Sequence, residues 1–229
     1  MVNLTRNLPK ALVKLNNRPL IDYALTFAEN LSCNDIIVVG GFYFDKLERF
    51  IEQSPYKVTL LGNTDFLKGN IFTFIKTLPY LDEDFLLLNV DHIYPLRMGR
   101  AFIKQKEHYS NITAFVDFDR PLYEDDMKVR MRDSQTISQI SKGLTEFDAG
   151  YIGGTYVPAA KIDLYKQTAQ EIAEQNESAV VENILQQCIN RGDDVNIFSA
   201  TGIRWLEIDN FNDLKNAERI LKWVRHFLD

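Results

Sequence analysis

Cysteine is scarce in this sequence, which limits the chemistry that the chain can carry out. The 229 residues include two cysteines, Cys33 and Cys188, which lie far apart and lack the spacing of metal-binding cysteines. Disulfide frameworks and zinc sites both need closer or more numerous cysteines. We therefore expect two buried thiols in a protein of the reducing cytoplasm.

Long apolar runs and an excess of positive charge are missing as well. The longest apolar run, residues 85–88, is far shorter than a membrane span, and the N-terminus lacks the charged-then-apolar pattern of a signal peptide. The net charge is −6, from 26 Lys and Arg against 32 Asp and Glu. Such a chain has no overall field to attract nucleic acid or an anionic membrane. Any phosphate that it binds must be held by a local cluster of donors.

The first half of the chain alternates between strands and helices. Apolar residues at helical spacing predict helices, and β-branched runs that end in glycine or a polar residue predict buried strands. This alternation favours an α/β fold of the Rossmann-like type, with a mostly parallel sheet flanked by helices. The predicted helices are 19–31, 44–52 and 69–81, and the predicted strands are 35–41, 57–63 and 84–91.

The second half follows a mixed pattern that predicts a small antiparallel extension of the sheet. It contains predicted strands at 111–118, 149–157 and 194–199, a hairpin over 127–140, and helices over 178–190 and 211–228. No internal repeat or low-complexity linker divides the chain, so we predict one domain over residues 1–229. Ligands of open α/β sheets bind beyond the carboxyl ends of the strands, which places Gly40, Asn63 and Asp91 on one rim.

The N-terminal segment contains a proline followed by a lysine inside a longer motif. Pro9 fixes the local backbone, so Lys10 can present its ammonium in a defined direction. Alone, such a pair is typical of a solvated loop. The whole string Leu-Thr-Arg-Asn-Leu-Pro-Lys-Ala-Leu-Val, followed by Asn-Arg-Pro-Leu-Ile at 17–21, resembles the sugar-phosphate nucleotidyltransferase superfamily. The resemblance implies that Lys10 contacts the phosphates of the reacting pair.

Two aspartates are the candidate metal ligands. Asp91 follows a predicted buried strand, where a carboxylate can hold Mg²⁺ against triphosphate oxygens or cap a turn. The resemblance favours the metal, and it assigns Asp209, in the Trp-Leu-Glu-Ile-Asp string at 205–209, as the second ligand. Strand alternation places Trp205, Glu207 and Asp209 on one face. The alternative for Asp209 is a cap on the helix that starts near residue 211, a role that Asp213 could fill instead. His92 is expected to pack or hydrogen-bond rather than to bind metal.

Weaker strings complete the resemblance. Asn63 and the Lys-Gly-Asn string at 68–70 precede a helix whose start could approach a nucleobase or phosphate, so Asn63, Gly69 and Asn70 are the predicted nucleotide-binding residues. The Ser-Lys-Gly-Leu string at 141–144 and the glycines at 153–154 resemble the acceptor side of the family's site. The resemblance implies that Lys142 binds the acceptor phosphate, that Gly154 lets the sugar approach the backbone, and that Glu182 contacts the acceptor.

These strings are most similar to the CTP-dependent branch, which includes inositol-1-phosphate and phosphocholine cytidylyltransferases. The resemblance implies transfer of a nucleotidyl group from a nucleoside triphosphate to a phosphorylated alcohol or sugar, with Mg²⁺ as cofactor. Residues 1–110 would form the nucleotide-binding half and residues 111–229 the acceptor-binding half, and a homo-oligomer is a further expectation. The alternatives are a hexose-1-phosphate uridylyl- or thymidylyltransferase and a regulatory paralogue without catalysis. An oxidoreductase is set aside because the sequence has no Gly-x-Gly-x-x-Gly motif.

One family feature does not occur in the sequence. The family begins with a hydrophobic strand and a Gly-x-Gly-x-Arg loop that cradles the triphosphate, whereas Met1 aligns just after that arginine. Either the start is truncated, which we favour because Lys10, Asp91 and Asp209 are retained, or the chain is a paralogue without the cradle. Backbone N–H groups of such a loop bind phosphate, so we expect the 229-residue chain to turn over nucleotide poorly and to associate.

Overall fold

The computed structural model describes residue 5, residues 7–224 and residues 227–229. Its helices are α1 Leu20–Asn30, α2 Phe44–Gln53, α3 Ile71–Ile75, α4 Leu96–Gln105, α5 Ile162–Gln175, α6 Glu182–Asn190 and α7 Phe211–Trp223. Its strands are β1 Lys14–Leu15, β2 Arg18–Pro19, β3 Ile37–Gly40, β4 Thr59–Gly62, β5 Phe85–Leu88, β6 His92–Ile93, β7 Ile112–Asp117, β8 Lys128–Met131, β9 Ile137–Ser141, β10 Ala149–Val157, β11 Val195–Ser199 and β12 Leu206–Glu207.

The chain folds into two compact units whose segments alternate along the sequence. Unit 1 comprises residues 1–64, 89–104 and 203–229, and unit 2 comprises residues 65–88 and 105–202. Each unit therefore draws on both halves of the sequence, and neither ends at the predicted boundary near residue 110. The single-domain organisation stays a prediction.

Unit 1 is built around α1 and the C-terminal helix. Buried apolar side chains from the first 23 residues pack with side chains from β6, β12 and α7, among them Leu15, Leu20, Ile93, Ile208 and Ile220. Burial of this kind contributes about 25 cal/mol per Å² of apolar surface. In the same unit β3 and β4 pair in parallel, with Gly40 opposite Gly62. The segments after Lys10, around Asp91 and around Asp209 are thus held by one apolar core.

Unit 2 contains a mixed sheet in which β10 is central. The strand order is β11-β7-β10-β8-β9, and β5 also pairs with β10. β10 can hold two neighbours on one edge because its first residues pair with β8, whereas residues 154–157 pair with β5. On its other edge it pairs with β7, with a register shift between Tyr151 and Thr155. Gly153 lies inside this shift with a φ of +76°, a left-handed conformation that favours glycine.

The α/β class with a mixed sheet flanked by helices is confirmed, and most predicted elements lie where the sequence placed them. The predicted helix over 69–81 is shorter: α3 ends at Ile75 and a separate 3-10 turn covers Leu78–Tyr80. Pro79 explains the break, because it lacks the N–H that a continuing helix needs. Two helices, α4 and α5, were not predicted. In α5 the buried residues Ile162, Tyr165 and Ala169 follow the helical spacing, so the pattern was available in the sequence.

The predicted burial of two strands and one thiol needs correction. The residues of β5 are half-buried rather than buried, as are the first three of β3. Within the described residues β5 pairs with β10 and β3 pairs with β4, so β5 and β3 each have a single partner strand. Cys33 is exposed, whereas Cys188 is buried and its burial raises the pKa of the thiol to about 11. In the described part of the chain, no helix has the length and apolarity needed to cross a membrane.

Candidate functional site

Lys10 lies between two carboxylates of unit 1. Its Nζ is 2.6 Å from Oδ2 of Asp91 and 2.6 Å from Oδ1 of Asp209, residues that are 81 and 199 positions away along the chain. The side chains of Lys10 and Asp91 are about one-fifth exposed, whereas that of Asp209 is 44% exposed. The structure therefore brings together the three residues that the sequence singled out, with Asp209 open to solvent.

Local structure explains why these three side chains meet. Pro9 has an extended backbone and is followed by the 3-10 turn Lys10–Leu12, which starts at the lysine itself. Asp91 directly precedes β6, which pairs antiparallel with β12, so that His92 faces Glu207. The N–H of Ile208 donates to the carbonyl of Asp91 at 3.0 Å, which extends this pairing and places Asp209 beside Asp91. Leu4 and Arg6 of the N-terminal motif lie outside the described residues.

The helix cap is made by Asn210, not by Asp209. The Asn210 side chain accepts from the N–H groups of Asn212 and Asp213 at 2.8 and 3.1 Å. In return, the Asp213 carboxylate accepts from the N–H groups of Asp209 and Asn210, each at 3.0 Å. This reciprocal capping box stabilises the start of α7. The Asp209 carboxylate thus remains available to Lys10, and the capping alternative for Asp209 is excluded.

His92 hydrogen-bonds to the carboxylate oxygen of Asp91 that does not accept from Lys10. Its Nδ1 donates to Oδ1 of Asp91 at 2.6 Å, and its Nε2 lies 3.6 Å from Oε1 of Glu207. The ring is buried and stacks on Trp205, with an interplanar angle of 4° and a centroid distance of 5.4 Å. His92 is thus a packing and hydrogen-bonding residue, as expected. Trp205 and Glu207 both contact it, in agreement with their predicted shared face.

The charges of the cluster favour the ionised forms of Asp91 and Lys10. Burial opposes ionisation of Asp91, but the hydrogen bond from His92 and the ammonium of Lys10 outweigh it and lower the pKa of Asp91 well below its usual range. Burial likewise opposes the charge on Lys10, yet Asp91 and Asp209 outweigh it and raise the pKa of the ammonium. At neutral pH Asp91 is therefore a carboxylate and Lys10 an ammonium.

The donor set suits a magnesium ion shared with a triphosphate. Two carboxylates already converge on one cationic atom, and Mg²⁺ is typically held by one or two carboxylates together with substrate phosphates and water. Among the described residues no group of three or more His, Cys, Asp or Glu side chains is arranged to hold a metal ion. The two carboxylates therefore suit a cation whose coordination the substrate completes, rather than a metal ion held by protein side chains alone.

The predicted nucleotide-binding residues lie in two places. In unit 1, Asn63 is buried, and its N–H donates to the carbonyl of Gly40 at 2.7 Å, so the two residues lie at the same end of the parallel pair β3 and β4, as predicted. The predicted position of Asp91 on the same rim stays a prediction. Gly69 and Asn70 belong to unit 2. A Cβ on Gly69 would lie 1.8 Å from the carbonyl oxygen of Ala179, and the Asn70 side chain accepts from the N–H of Val181 at 2.8 Å. The close approach predicted at Gly69 is therefore made to the segment that leads into α6.

The predicted acceptor-side residues all belong to unit 2. Lys142 follows β9 and is exposed, and Glu182 is a buried residue at the start of α6. Gly154 requires a correction, because a Cβ there would lie 2.8 Å from the ring of Phe115. The space at its α-carbon is filled by a core aromatic, so the lack of a side chain serves packing rather than the approach of a sugar.

Sequence reasoning missed two residues that shape these groups. Asn210 was overlooked although an Asn three residues before Asp213 is the pattern of a capping box. Lys128, a buried lysine in β8, was also overlooked. In the sequence, Lys128 stands out only as a lysine within an otherwise alternating hairpin strand, and a solvent-exposed strand face gives the same pattern.

Comparison with known proteins places the chain in a family. Residues 4–188 match the model of the MobA-like NTP transferase domain. The chain is 26% identical to a choline-phosphate cytidylyltransferase of Streptococcus pneumoniae, over 96% of this chain and 92% of that protein. It is 24% identical to a CTP:phosphoglutamine cytidylyltransferase of Campylobacter jejuni, over 94% of this chain and 93% of that protein.

A solved structure shows the same fold. The inositol-1-phosphate CTP transferase from T. maritima superposes with a TM-score of 0.79 at 20% identity, over 98% of this chain and 92% of that one. The family model covers most of the chain, including Lys10, Asp91 and Lys142, whereas Asp209 lies beyond the matched residues. The chain belongs to the MobA-like NTP transferase domain family and is, by that membership, a nucleotidyltransferase.

Proposed function

We propose that this chain transfers a cytidylyl group from CTP to the phosphate of a small phosphorylated alcohol or sugar, with release of pyrophosphate. The observation that carries the proposal is the convergence of Asp91 and Asp209 on Lys10 in unit 1. Two ionised carboxylates and a lysine at one point suit a polyphosphate and its counter-cation better than a neutral ligand. The cytidylyltransferase relatives favour CTP over other nucleotides.

Asp91 and Asp209 are the residues that would hold Mg²⁺. When bound, the ion would neutralise charge on the triphosphate oxygens. His92 binds one oxygen of Asp91, and the other oxygen accepts from Lys10. Lys10 would contact the triphosphate, where its positive charge stabilises the negative charge that develops on the leaving pyrophosphate.

The reaction that we propose is a direct displacement. An oxygen of the acceptor phosphate attacks the α-phosphorus of CTP, and a new P–O bond forms as the bond to the bridging oxygen of the β-phosphate breaks. The electron pair of the broken bond leaves with pyrophosphate. The acceptor phosphate is already ionised at neutral pH, so we assign no general base, and catalysis rests on positioning and charge neutralisation.

The remaining site residues are proposed from the resemblance. We infer that Asn63 and Asn70 help to bind the nucleotide and that Lys142 binds the acceptor phosphate, with Glu182 on the acceptor side; Gly69 is left out because the segment that leads into α6 fills the space at its α-carbon. The exposure of Lys142 suits its role, since an exposed ammonium can reach a dianionic ligand. The cytoplasmic location and the homo-oligomer expected from the sequence stay predictions.

Pyrophosphate release tests the proposal. Purified protein would be incubated with Mg²⁺, CTP or UTP, and each of phosphocholine, inositol 1-phosphate and glucose 1-phosphate. The assay would be run on the wild type and on Asp91→Asn. We expect pyrophosphate release with CTP and one of these acceptors, and none after Asp91→Asn.

The other outcomes separate the alternatives. Release with UTP and glucose 1-phosphate would indicate a hexose-1-phosphate uridylyltransferase. Nucleotide binding without pyrophosphate release, with every acceptor, would reject the enzyme and favour a regulatory paralogue with the same fold.

A further inference from the structure

Lys128 is a buried lysine whose ammonium is enclosed by backbone carbonyl groups. The residue is 6% exposed. Its Nζ donates to the carbonyl oxygens of Glu124 at 3.0 Å, Asp126 at 3.3 Å and Lys142 at 3.0 Å. An ammonium has three hydrogens, and here each has an acceptor. Burial of a charged side chain costs free energy unless hydrogen bonds compensate for the lost water, as the three carbonyl groups do here.

The three carbonyl groups belong to two different loops. Glu124 and Asp126 lie in the connection between β7 and β8, whereas Lys142 directly follows β9. Lys128 itself begins β8 and pairs with Ser141 on one side and Gly150 on the other. One side chain therefore ties both loops to the middle of the sheet.

The Lys142 turn is held at its backbone and free at its side chain. The carbonyl of Lys142 accepts from Lys128, and the N–H of Gly143 donates to Oγ of Ser141 at 3.1 Å. The Lys142 side chain is exposed. A long flexible side chain binds a ligand more tightly when its backbone is fixed, because less conformational freedom is lost on binding.

The other loop is ordered by the same lysine and by its own contacts. The Asp126 carboxylate accepts from the N–H of Tyr123 at 2.6 Å. Leu122 packs so closely on β10 that a Cβ on Gly150 would lie 2.6 Å from it. The loop is thus laid against the strand, and its acidic residues Glu124 and Asp125 are exposed.

We propose that Lys128 is a positioning residue for the acceptor phosphate: it fixes the backbone of Lys142 and thereby aims the Lys142 ammonium, without contacting the substrate itself. This inference rests on the role proposed for Lys142. Without Lys128, the Lys142 turn and the loop between β7 and β8 lose the hydrogen bonds that the Lys128 ammonium donates to both of them. The acceptor phosphate should then bind more weakly while the nucleotide binds as before.

The test measures binding of inorganic phosphate, which represents the phosphate of the acceptor and requires no turnover. Phosphate binding would be followed by ³¹P line broadening, and CTP binding by calorimetry, in the wild type and in Lys128→Met, Lys142→Met and the double variant. Lys166→Met is the matched control, because Lys166 also donates to a backbone carbonyl, that of Leu81 at 2.5 Å, in another part of unit 2.

We expect Lys142→Met and Lys128→Met each to weaken phosphate binding by about tenfold, the effect of losing one well-placed charged contact. Lys166→Met should bind phosphate as the wild type does, and CTP affinity should be unchanged in all variants. Because Lys128 acts through Lys142, the double variant should bind no worse than Lys142→Met alone. With a turned-over acceptor, Lys128→Met should raise KM for the acceptor more than it lowers kcat.

The outcomes separate this inference from the proposed function. If Lys142→Met leaves phosphate binding unchanged, the acceptor role of Lys142 fails, and the inference fails with it. If Lys142→Met weakens binding but Lys128→Met does not, or if their effects add, only the inference about Lys128 is overturned. Should Lys128→Met fail to fold, Lys128→Arg, which keeps the charge but alters the reach, carries the same test. Unchanged phosphate affinity in that variant would also overturn the inference.

Discussion

The ammonium of Lys10 and the carboxylate of Asp209 lie 2.6 Å apart, although 199 residues separate them in the sequence. Lys10 is equally close to Asp91, so each of the two carboxylates has the same counter-charge. This arrangement makes Lys10 important both for the folded state and for the proposed chemistry.

Replacing Lys10 with Met should therefore lower both stability and turnover. Two carboxylates would be left facing each other, one of them largely buried, and we expect a loss of about 1–3 kcal/mol in the free energy of unfolding. Turnover of CTP should fall by about 100-fold, because the leaving pyrophosphate loses a stabilising charge. Urea denaturation and pyrophosphate release measure the two effects. Lys14→Met, in the exposed part of the same segment, is the control and should change neither.

Stability should depend on pH through Asp91. Its pKa is lowered in the folded protein, so Asp91 contributes stability above its unfolded pKa of about 4, and this contribution is lost as the pH falls through the folded value. The urea midpoint of the wild type should thus decrease steeply below about pH 4, and that of Asp91→Asn less steeply. The pKa of Lys10 is raised, so its contribution persists at neutral pH and is lost only in strong alkali. Parallel acid curves for the two proteins would contradict the assignment.

Asp209 and Asn210 are neighbours with different predicted roles. Asn210→Ala removes the acceptor of the α7 capping box and should cost about 1 kcal/mol of stability, or about 2–4 °C in Tm, with little effect on turnover. Asp209→Asn should do the reverse, because its carboxylate faces Lys10 rather than the helix. Thermal denaturation and steady-state kinetics on both variants check this. Unchanged stability in Asn210→Ala, or a loss of turnover in that variant as large as in Asp209→Asn, would contradict these roles.

Gly154→Ala tests whether this glycine serves packing. The added methyl group would meet the ring of Phe115 at 2.8 Å, and overpacking of a buried site costs about 1–3 kcal/mol. Phe115→Leu makes room, so the two substitutions together should destabilise less than the sum of their separate effects. Strict additivity, or a change in acceptor KM without a change in stability, would instead support the acceptor role that the sequence suggested.

The sequence predicted much of this fold and part of the site, and particular residues show where it fell short. The strand and helix patterns were strong wherever a run of apolar residues was regular, as in α1 and β10. The lysine and the two aspartates could be named from short strings because motif residues keep their order along the chain. α3 was predicted too long because the effect of Pro79 was not weighed against the apolar spacing on both sides of it.

The errors at Gly154 and at Cys33 have one physical cause: burial and packing depend on contacts between segments that are distant in sequence. Whether a glycine makes room for a ligand or for a ring such as Phe115 depends on contacts between strands that are distant in sequence. The same holds for the carbonyl groups around Lys128, which come from two loops. No local pattern encodes such contacts, so three-dimensional packing was needed to recognise them.

Transfer of the α-phosphorus is the most direct test of the proposed function. CTP labelled with ³²P at the α-position would be incubated with Mg²⁺, the protein and each of phosphocholine, inositol 1-phosphate and glucose 1-phosphate, and the products would be separated. We predict that the label appears in a compound that joins CMP to the acceptor, that γ-labelled CTP in a parallel reaction gives labelled pyrophosphate, and that Asp91→Asn abolishes both. Label found only in free CMP, or retained in CTP with every acceptor, would contradict it.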